Sequence, residues 1–479
     1  MHDAPVVETV SGAVRGRRTG GVLAFLGIPY AAPPFGPNRL RAPQPVSPWA
    51  GVRDATAYGP TVPKGEYSAA VRPLLPEVTI PGEDCLNLNV WTPDPSSPGL
   101  PAPGLPASGP STAGLPVFVW IHGGSFTNGS GANAAYDGTA FARDGVVCVT
   151  INYRLGADGF LELPDADPNR GLQDMIAALT WVRDNIGAFG GDPGQVTLAG
   201  ESAGAMAIAA LMSVPAARGL FVRAVLQSGA AANVLTAAQA AQVSEGLTAR
   251  LGVAPTREAV AGLPVDQLVA AVTALGAEVS APAGAAQWGV LARLLPFAPV
   301  ADGELLPQLP LDDVSGQVPA MIGTNRDEAR LFLVPSGMID AADDATLACF
   351  AAGYGITDLS AFSGATPGEV LCNLHSYVHF GRPADQLAGA RGEIPTWRYL
   401  FDGLDVTDNG GLGSCHAAEI PFVFGTTGLP QMRLLIGARP PAAVAETMHS
   451  TWVRFAASGD PGWPPGATAR LADKLTVVR

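Results

Sequence analysis

The chain has 479 residues, of which 47% are hydrophobic and 15% charged, as is ordinary for a soluble globular protein with a large core. Its net charge of −14 argues against a nucleic-acid or anionic-membrane partner, because both would repel it. No apolar run reaches the ~20 residues that a membrane helix needs. The first residues, Met1 to Gly16, show no basic region followed by an apolar stretch, so a secretory signal is absent or was removed.

Cysteine usage bears on the compartment and on metals. The five cysteines are Cys85, Cys148, Cys349, Cys372 and Cys415. They are odd in number and widely scattered, and no CxxC pair occurs among them. We therefore expect neither a disulfide framework nor a zinc site. A reducing cytoplasm is the simplest compartment, and secretion with a removed leader is the alternative.

The N-terminal part favours short strands joined by turns, at Pro5–Val10, Ala13–Arg17, Val22–Leu26 and Leu86–Trp91. A segment rich in Pro and Gly follows at residues 92–116. We interpret it as a flexible surface insert rather than a domain linker, because strand-like segments on both sides of it would belong to one sheet.

Strands and helices alternate from Val117 onward. Continuous apolar runs at Val117–Ile121 and Val146–Tyr153 are typical of strands buried on both faces. Further strands are predicted at Gln195–Ala199, Ala224–Gln227, Ala320–Thr324 and Thr396–Phe401, and helices at Leu172–Asn185, Ala205–Ser213, Ala237–Ala274 and Ala442–Ala457. The alternation predicts a single α/β domain over residues 1–479, with a central, mostly parallel sheet flanked by helices. The Ala-rich third helical segment is a candidate cap over the carboxyl edge of that sheet.

The motif Gly200-Glu201-Ser202-Ala203-Gly204 fits G-x-S-x-G and lies between a predicted strand and a predicted helix. A serine on such a tight turn has a strained backbone and an exposed Oγ, and the glycines let strand and helix pass closely. A chance Gly/Ser turn is the alternative in a chain with 58 glycines. The strand–turn–helix context favours Ser202 as the nucleophile of an α/β-hydrolase fold.

A serine nucleophile needs a base, which in this fold follows the acid along the chain. His416 lies in a glycine-rich loop between a strand and an apolar segment, where a base can reach over the sheet edge. His375 and His379 fall at i, i+4 on a predicted helix, Leu371–Phe380. That pair could ligate a metal, but no third ligand is evident, so we expect helix packing instead.

The acid is expected on the turn after a strand, between the serine and the histidine. Asp327 and Glu328 compete for this role, and spacing does not choose between them, since Asp327 would also suit a helix N-cap. An oxyanion hole needs backbone amides that point at developing negative charge. The turn Gly123-Gly124, directly after a buried strand, and the amide of Ala203 are the candidates.

Several segments resemble the type-B carboxylesterase and cholinesterase family over almost the whole chain. They are Phe25-Leu26-Gly27-Ile28-Pro29-Tyr30-Ala31, Arg39-Leu40-Arg41-Ala42-Pro43, Glu83-Asp84-Cys85-Leu86-Asn87-Leu88-Asn89-Val90, Asn152-Tyr153-Arg154, Phe189-Gly190-Gly191-Asp192-Pro193, Leu226-Gln227-Ser228-Gly229 and Trp452-Val453-Arg454-Phe455-Ala456. The resemblance implies an α/β-hydrolase fold and hydrolysis of small-molecule carboxylic esters through an acyl-serine intermediate. It implies no metal and no organic cofactor.

The resemblance also assigns roles to individual residues. It implies Ser202 as nucleophile, Glu328 rather than Asp327 as acid, and His416 as base. It implies further roles at the oxyanion amides of Gly124, Ser125 and Ala203, at Ser228 near the acid, and in two ion pairs, Arg39 with Glu83 and Arg154 with Asp174.

Two departures from the family bear on bonding and on substrate. No cysteine precedes Cys85 to form the family's disulfide, so a free thiol is expected there. Residues 64–81 lack the tryptophan that cholinesterases use against a quaternary ammonium, and Tyr67 is the aromatic residue that remains. With apolar pocket neighbours predicted at Phe126, Leu295 and Phe297, we expect neutral short-to-medium esters rather than choline esters.

Two kinds of alternative remain open at this point. The same triad on the same fold also serves amide, lactone, thioester or polymer-ester cleavage, and the motifs do not separate these reactions. A non-catalytic interaction module on this fold is the alternative from another class. Such relatives typically lack the serine or the histidine, and this chain has both.

Overall fold

The computed structural model describes residues 4–96, 114–231, 233–280, 287–289, 291, 294–314 and 317–478. The strands are β1 (Val6–Thr9), β2 (Gly12–Arg15), β3 (Arg17–Thr19), β4 (Val22–Pro29), β5 (Val52–Asp54), β6 (Asn87–Pro93), β7 (Leu115–Ile121), β8 (Val147–Ile151), β9 (Gly191–Glu201), β10 (Arg223–Gln227), β11 (Leu235–Thr236), β12 (Val300–Ala301), β13 (Ala320–Asn325), β14 (Thr396–Phe401), β15 (Thr468–Leu471) and β16 (Leu475–Val478). The α-helices are α1 (Thr139–Arg143), α2 (Gly156–Phe160), α3 (Arg170–Asn185), α4 (Ala203–Leu211), α5 (Ala237–Leu251), α6 (Arg257–Ala261), α7 (Val265–Ser280), α8 (Arg330–Leu333), α9 (Met338–Ala341), α10 (Asp344–Gly353), α11 (Pro367–Ser376), α12 (Arg382–Ala390), α13 (Ile420–Val423), α14 (Arg433–Ile436) and α15 (Ala442–Ser458). A π-helix spans Tyr377–Gly381, and short 3₁₀ helices span Gly36–Asn38, Ala134–Tyr136, Ile186–Phe189, Pro215–Ala217 and Pro430–Met432.

An 11-stranded sheet organises the described residues, in the order β16-β15-β14-β13-β10-β9-β7-β8-β6-β4-β3. The strands from β8 across to β15 are all parallel, and antiparallel strands complete both edges. The expectation of a central, mostly parallel sheet is therefore confirmed. A small sheet of β1, β2 and β5 lies apart from it.

The side chains of β7 show why the sheet is buried on both faces. Successive side chains of a strand point to opposite faces. Val117, Val119 and Ile121 accordingly join one core cluster, which also contains residues of α3 and α4. Phe118 and Trp120 join a second core cluster with residues of α15 on the other face. The apolar run at this strand is therefore needed in full to fill two cores.

The predicted insert at residues 92–116 begins and ends inside strands. β6 continues to Pro93, and β7 begins at Leu115. Both strands belong to the 11-stranded sheet, with β8 between them. Residues 97–113, which make up most of the predicted insert, lie outside the described residues. The insert therefore stays a prediction, now limited to the residues between Pro93 and Leu115.

The Ala-rich segment after β11 is helical, as predicted, but it is broken into α5, α6 and α7. Arg39 links the end of α6, at one of these breaks, to the rest of the protein. Its Nε lies 3.0 Å from Asp158 Oδ1, and its Nη1 donates to the carbonyl of Ala261, 3.1 Å away. The expected pairing of Arg39 with Glu83 is therefore wrong, because Arg39 turns instead toward the cap and α2.

A second arginine forms the ion pair that the resemblance implies. Arg154 Nη2 lies 2.6 Å from Asp174 Oδ1, and its Nε lies 2.8 Å from Asp174 Oδ2. Both side chains are buried. A bidentate pair of this kind fixes the loop after β8 against α3, since removing one partner would leave a buried charge without compensation.

All five cysteines lie in the described residues and are unpaired, and every one except Cys349 is buried. Cys85 thus has a free thiol, in agreement with the missing upstream cysteine. Of the helices that the structure describes, none has the length and apolar character needed to cross a bilayer.

Candidate active site

Ser202 lies on the sharp turn between β9 and α4, with φ of +52° and ψ of −123°. A side-chain-bearing residue adopts this backbone conformation only under strain, of order 1–3 kcal/mol. The two glycines of the motif permit the turn: a Cβ at Gly200 would lie 2.7 Å from the carbonyl oxygen of Ile121, and one at Gly204 would lie 2.1 Å from it. The turn therefore needs both glycines, because β9 and α4 pass directly against the end of β7.

The loop after β7 lies beside this serine. A Cβ at Gly123 would lie 3.1 Å from Ser202 Cβ, so the loop backbone passes close to Ser202. Among the described residues, the amides of Gly124 and Ser125 donate to no hydrogen-bond acceptor. Ala203 is the first residue of α4, a position whose amide has no intrahelical acceptor. These three amides lie at the same end of the sheet and are available to an oxygen anion.

His416 and Glu328 form a direct hydrogen bond. His416 Nδ1 lies 2.7 Å from Glu328 Oε2, and both side chains are buried. The other carboxylate oxygen, Glu328 Oε1, accepts from the amide of Asn325 at 2.7 Å. The carboxylate is thus held from both sides, which fixes the orientation of the imidazole and leaves Nε2 directed away from Glu328.

The neighbouring carboxylate of Asp327 has different partners. Its Oδ2 accepts from the amide of Ser414 at 2.9 Å and from Arg326 Nη2 at 2.8 Å. Asp327 therefore braces the loop that leads to His416, and Glu328 is the carboxylate that contacts the imidazole.

Two further buried glutamates surround the histidine, and neither was predicted. Glu201, the residue before the nucleophile, places Oε1 3.1 Å from His416 Nε2. Glu419 accepts from Gln227 Nε2 at 3.0 Å and also binds Asn325 Nδ2 at 2.5 Å. The sequence does carry a local signal for each, since Glu201 lies inside the serine motif and Glu419 follows His416 by three residues.

The carboxylates control the protonation of His416. Burial opposes a charged imidazole, but the charges of Glu201 and Glu328 outweigh it and raise the pKa of His416 to about 9. Burial likewise raises the pKa of Glu201 to about 8, although His416 acts in the opposite direction. Burial and the charge of Glu328 also raise the pKa of Glu419.

These groups open into a cavity of about 810 Å³. Its described lining includes Ser202, His416, Glu201, the loop residues 123–125 and Ala277 of the cap helix α7. Tyr67 also lines it. Of the apolar neighbours predicted from sequence, Leu295 lines the cavity. Phe126 and Phe297 do not, because both are fully buried in the core instead.

His375 and His379 line the same cavity, with ring centroids 4.7 Å apart. The predicted helix packing is confirmed for His375, whose ring stacks on that of Phe350 on α10 with centroids 4.0 Å apart, and both histidines line the cavity as well. No cluster of three or more His, Cys, Asp and Glu side chains suited to a metal ion occurs in the part of the chain that the structure describes.

Ser228 lies at the end of β10, where its amide donates to the carbonyl of Gly323 at 2.9 Å. Its backbone φ is +47°, and its side chain is fully buried. Among the described residues Ser228 Oγ has no hydrogen-bond partner. Its expected role beside the acid therefore stays a prediction.

Comparison with known proteins places this geometry in a family. Residues 3–347 match the model of the carboxylesterase family. The chain is also 36% identical over 478 residues to para-nitrobenzyl esterase of Bacillus subtilis (strain 168), an alignment that covers 96% of this chain and 92% of the relative. The chain belongs to the carboxylesterase family. It is therefore a carboxylic-ester hydrolase, and its substrates are small-molecule esters.

A second relative and a solved structure support the same family and fold. Phenmedipham hydrolase of Pseudarthrobacter oxydans is 35% identical over 507 residues, which cover 100% of this chain and 95% of that protein. The solved structure of a Geobacillus stearothermophilus carboxylesterase at pH 6.2 superposes with a TM-score of 0.81 at 33% identity, covering 99% of this chain and 97% of the other. The predicted α/β-hydrolase fold is thereby confirmed.

The contacts of the two adjacent carboxylates generate a test. We expect Glu328→Gln to lower kcat far more than Asp327→Asn, by about 10²-fold or more, because Glu328 contacts the imidazole and stabilises its charged form. Both variants should be compared by ester turnover at one pH, with the unfolding midpoint measured in parallel. A larger catalytic loss for Asp327→Asn in a folded protein would show that Asp327 is the acid.

The charges around His416 generate a second test. The imidazole must be neutral to accept a proton, and Glu201 raises its pKa. Removing that carboxylate with Glu201→Gln should therefore move the acidic limb of the kcat/KM profile to lower pH, by about one unit or more. Glu446→Gln, on the exposed face of α15, is the matched control and should leave the limb in place. An unmoved or more alkaline limb in Glu201→Gln would contradict the assignment.

Proposed function

We propose that this carboxylesterase hydrolyses uncharged esters of short-to-medium chain length through Ser202, with His416 as general base and Glu328 as the carboxylate that orients it. The observation that carries the proposal is that two residues line the same cavity: Ser202 on its strained turn, and His416 with its hydrogen bond to Glu328. A serine hydroxyl is a poor nucleophile at neutral pH, so a positioned base is what its chemistry requires.

The proposed reaction has two halves. Ser202 Oγ attacks the ester carbonyl while His416 Nε2 takes its proton, and the carbonyl oxygen becomes an anion. The alcohol then leaves with the proton from His416, and the acyl group stays on Ser202. In the second half His416 removes a proton from water, the resulting hydroxide attacks the acyl-serine, and the acid is released as Ser202 regains its proton.

The oxyanion of each half is stabilised by the amides of Gly124, Ser125 and Ala203. Two observations support this assignment. The amides of Gly124 and Ser125 have no other acceptor among the described residues, and the amide of Ala203 is at the start of helix α4. Each such donor is worth about 10²–10³ in kcat where it has been removed from an enzyme. Glu328 stabilises the imidazolium that forms in each half.

The nucleophile is tested by replacement and by labelling. We expect Ser202→Ala to lower kcat by roughly 10⁴–10⁶, as triad removals do elsewhere. The native chain should react with one equivalent of an organophosphonate and lose its activity in parallel. Mass spectrometry should find the phosphonate on the peptide that contains Ser202. A Ser202→Ala protein with near-native ester turnover would refute the proposal.

The preference for uncharged esters follows from the composition of the cavity. Its described lining is largely apolar, and Glu201 is the acidic side chain within it. That carboxylate already lies 3.1 Å from His416 Nε2, so it is not free to serve as the counter-charge of an ammonium group. Aromatic rings that could face a cation do line the cavity, among them Tyr67, Phe350 and Phe380, so the preference rests on the shortage of acidic side chains in its described lining.

We therefore expect a neutral butyrate ester to exceed butyrylcholine by at least about tenfold in kcat/KM, when the two leaving groups have matched reactivity. That ratio corresponds to about 1.4 kcal/mol, which a missing cation site can supply. Salt titration serves as a control, because a cation-binding site would weaken as ionic strength rises. Faster hydrolysis of butyrylcholine would contradict this preference while leaving the triad in place.

A further inference from the structure

One wall of the cavity consists of rings. It is formed by Phe350, Tyr354, His375, His379 and Phe380, all of which line the cavity. Phe350 lies on α10 and Tyr354 just after it, whereas His375 lies on α11 and the last two rings lie on the π-helix that follows α11. We call this group the ring wall. It is brought together by the packing of α10 on α11, so no single helix contains it.

The ring wall is continuous in space. The Phe350 and His375 rings stack with centroids 4.0 Å apart, and His379 follows at 4.7 Å from His375. The Tyr354 hydroxyl lies 3.1 Å from His379 Nε2. A planar aromatic group could therefore lie against several rings at once.

The wall also reaches the catalytic base. The Phe380 ring lies 4.7 Å from the ring of His416, between centroids. A group bound on the wall is thus a neighbour of the atoms that react, not a ligand at a remote surface. An ester bound with its carbonyl at Ser202 would therefore place one of its arms, the acyl group or the alcohol, beside this wall.

The two imidazoles of the wall are neutral. Burial lowers the pKa of His375 to about 3, with a smaller contribution from His379. Burial and Arg382 lower the pKa of His379 to about 4. A neutral imidazole offers one N–H donor and one nitrogen acceptor. Among the described residues the nitrogens of His375 have no hydrogen-bond partner, so they are available to a group inside the cavity.

We propose that the ring wall binds an aryl group of the ester, and that His375 and His379 hydrogen bond a neutral hydroxyl or amide substituent on that ring. This inference rests on the proposed function and specifies its substrate class. A carboxylate substituent is a poorer fit, because the buried imidazoles resist the protonation that would neutralise it. A ring without a polar group leaves the nitrogens of His375 without a partner, at a cost in binding.

The experiment compares esters that differ only in the distal substituent. For the acyl arm the pair is methyl 3-(4-hydroxyphenyl)propanoate and methyl 3-phenylpropanoate. For the alcohol arm the pair is 2-(4-hydroxyphenyl)ethyl acetate and 2-phenylethyl acetate. Two methylenes separate ring from ester in every compound, so the hydroxyl barely alters the intrinsic reactivity. The measured quantity is the ratio of kcat/KM within each pair.

The native enzyme should favour the hydroxylated ester in at least one pair by about fivefold, which one net hydrogen bond can supply. His375→Phe and His379→Phe keep a ring in the wall but remove the nitrogens, and should bring that ratio to about one. Tyr377→Phe is the control, because this exposed side chain lies between the two histidines in sequence and is not part of the described cavity lining. It should leave both ratios unchanged.

Titration of active sites with an organophosphonate corrects each variant for the fraction that is folded. Native ratios near one in both pairs, or ratios that the two His→Phe variants leave intact, would overturn the ring-wall proposal alone if the enzyme still hydrolyses the esters and takes up the phosphonate on Ser202. No turnover and no labelling in the native enzyme would instead overturn the proposed function, and the ring-wall proposal with it. The pair that responds identifies which arm of the ester lies on the wall.

Discussion

The close approach of β9 and α4 to the end of β7 is the constraint on which the site depends. The carbonyl oxygen of Ile121 occupies the space where side chains at Gly200 and Gly204 would lie. This contact forces the chain to reverse within one residue, and that residue is Ser202. It also brings the loop after β7 against the serine. β8 lies on one side of β7 and β9 on the other, so the strand order changes direction at β7, which is where ligands bind in α/β sheets.

Electrostatics adds a second constraint at the same place. His416 is enclosed by the carboxyl groups of Glu201, Glu328 and Glu419, which raise its pKa in spite of burial. Two of these carboxyl groups are anchored through Asn325: Glu328 accepts from its backbone amide, whereas Glu419 accepts from its side chain and from that of Gln227. In the proposed mechanism Glu328 therefore orients the base, and the other two carboxyl groups adjust its pKa, a division that one aspartate or glutamate alone could not provide.

How far the sequence predicts this arrangement depends on how local each feature is. The serine motif and the apolar strands are local patterns, so Ser202 and the parallel sheet follow from them. The different partners of Asp327 and Glu328 cannot be read from neighbouring residues, because they depend on the distant amide of Ser414, which donates to Asp327. The ring wall needs two helices to pack, which no periodicity reveals. The short strands β3, β15 and β16 escaped prediction because they have 3, 4 and 4 residues, too few to show a clear alternating pattern.

The distances along the chain between interacting groups have a consequence for biosynthesis. Glu328 and His416 are 88 residues apart, and Glu419 reaches back across 192 residues to Gln227. Contacts of such long range form late, because loop closure must precede them and the C-terminal partner leaves the ribosome last. A nascent chain that has already made the turn at Ser202 thus still lacks His416, its proposed base. Hydrolytic activity then appears only when the whole fold is complete, and partly synthesised chains do not hydrolyse the esters around them.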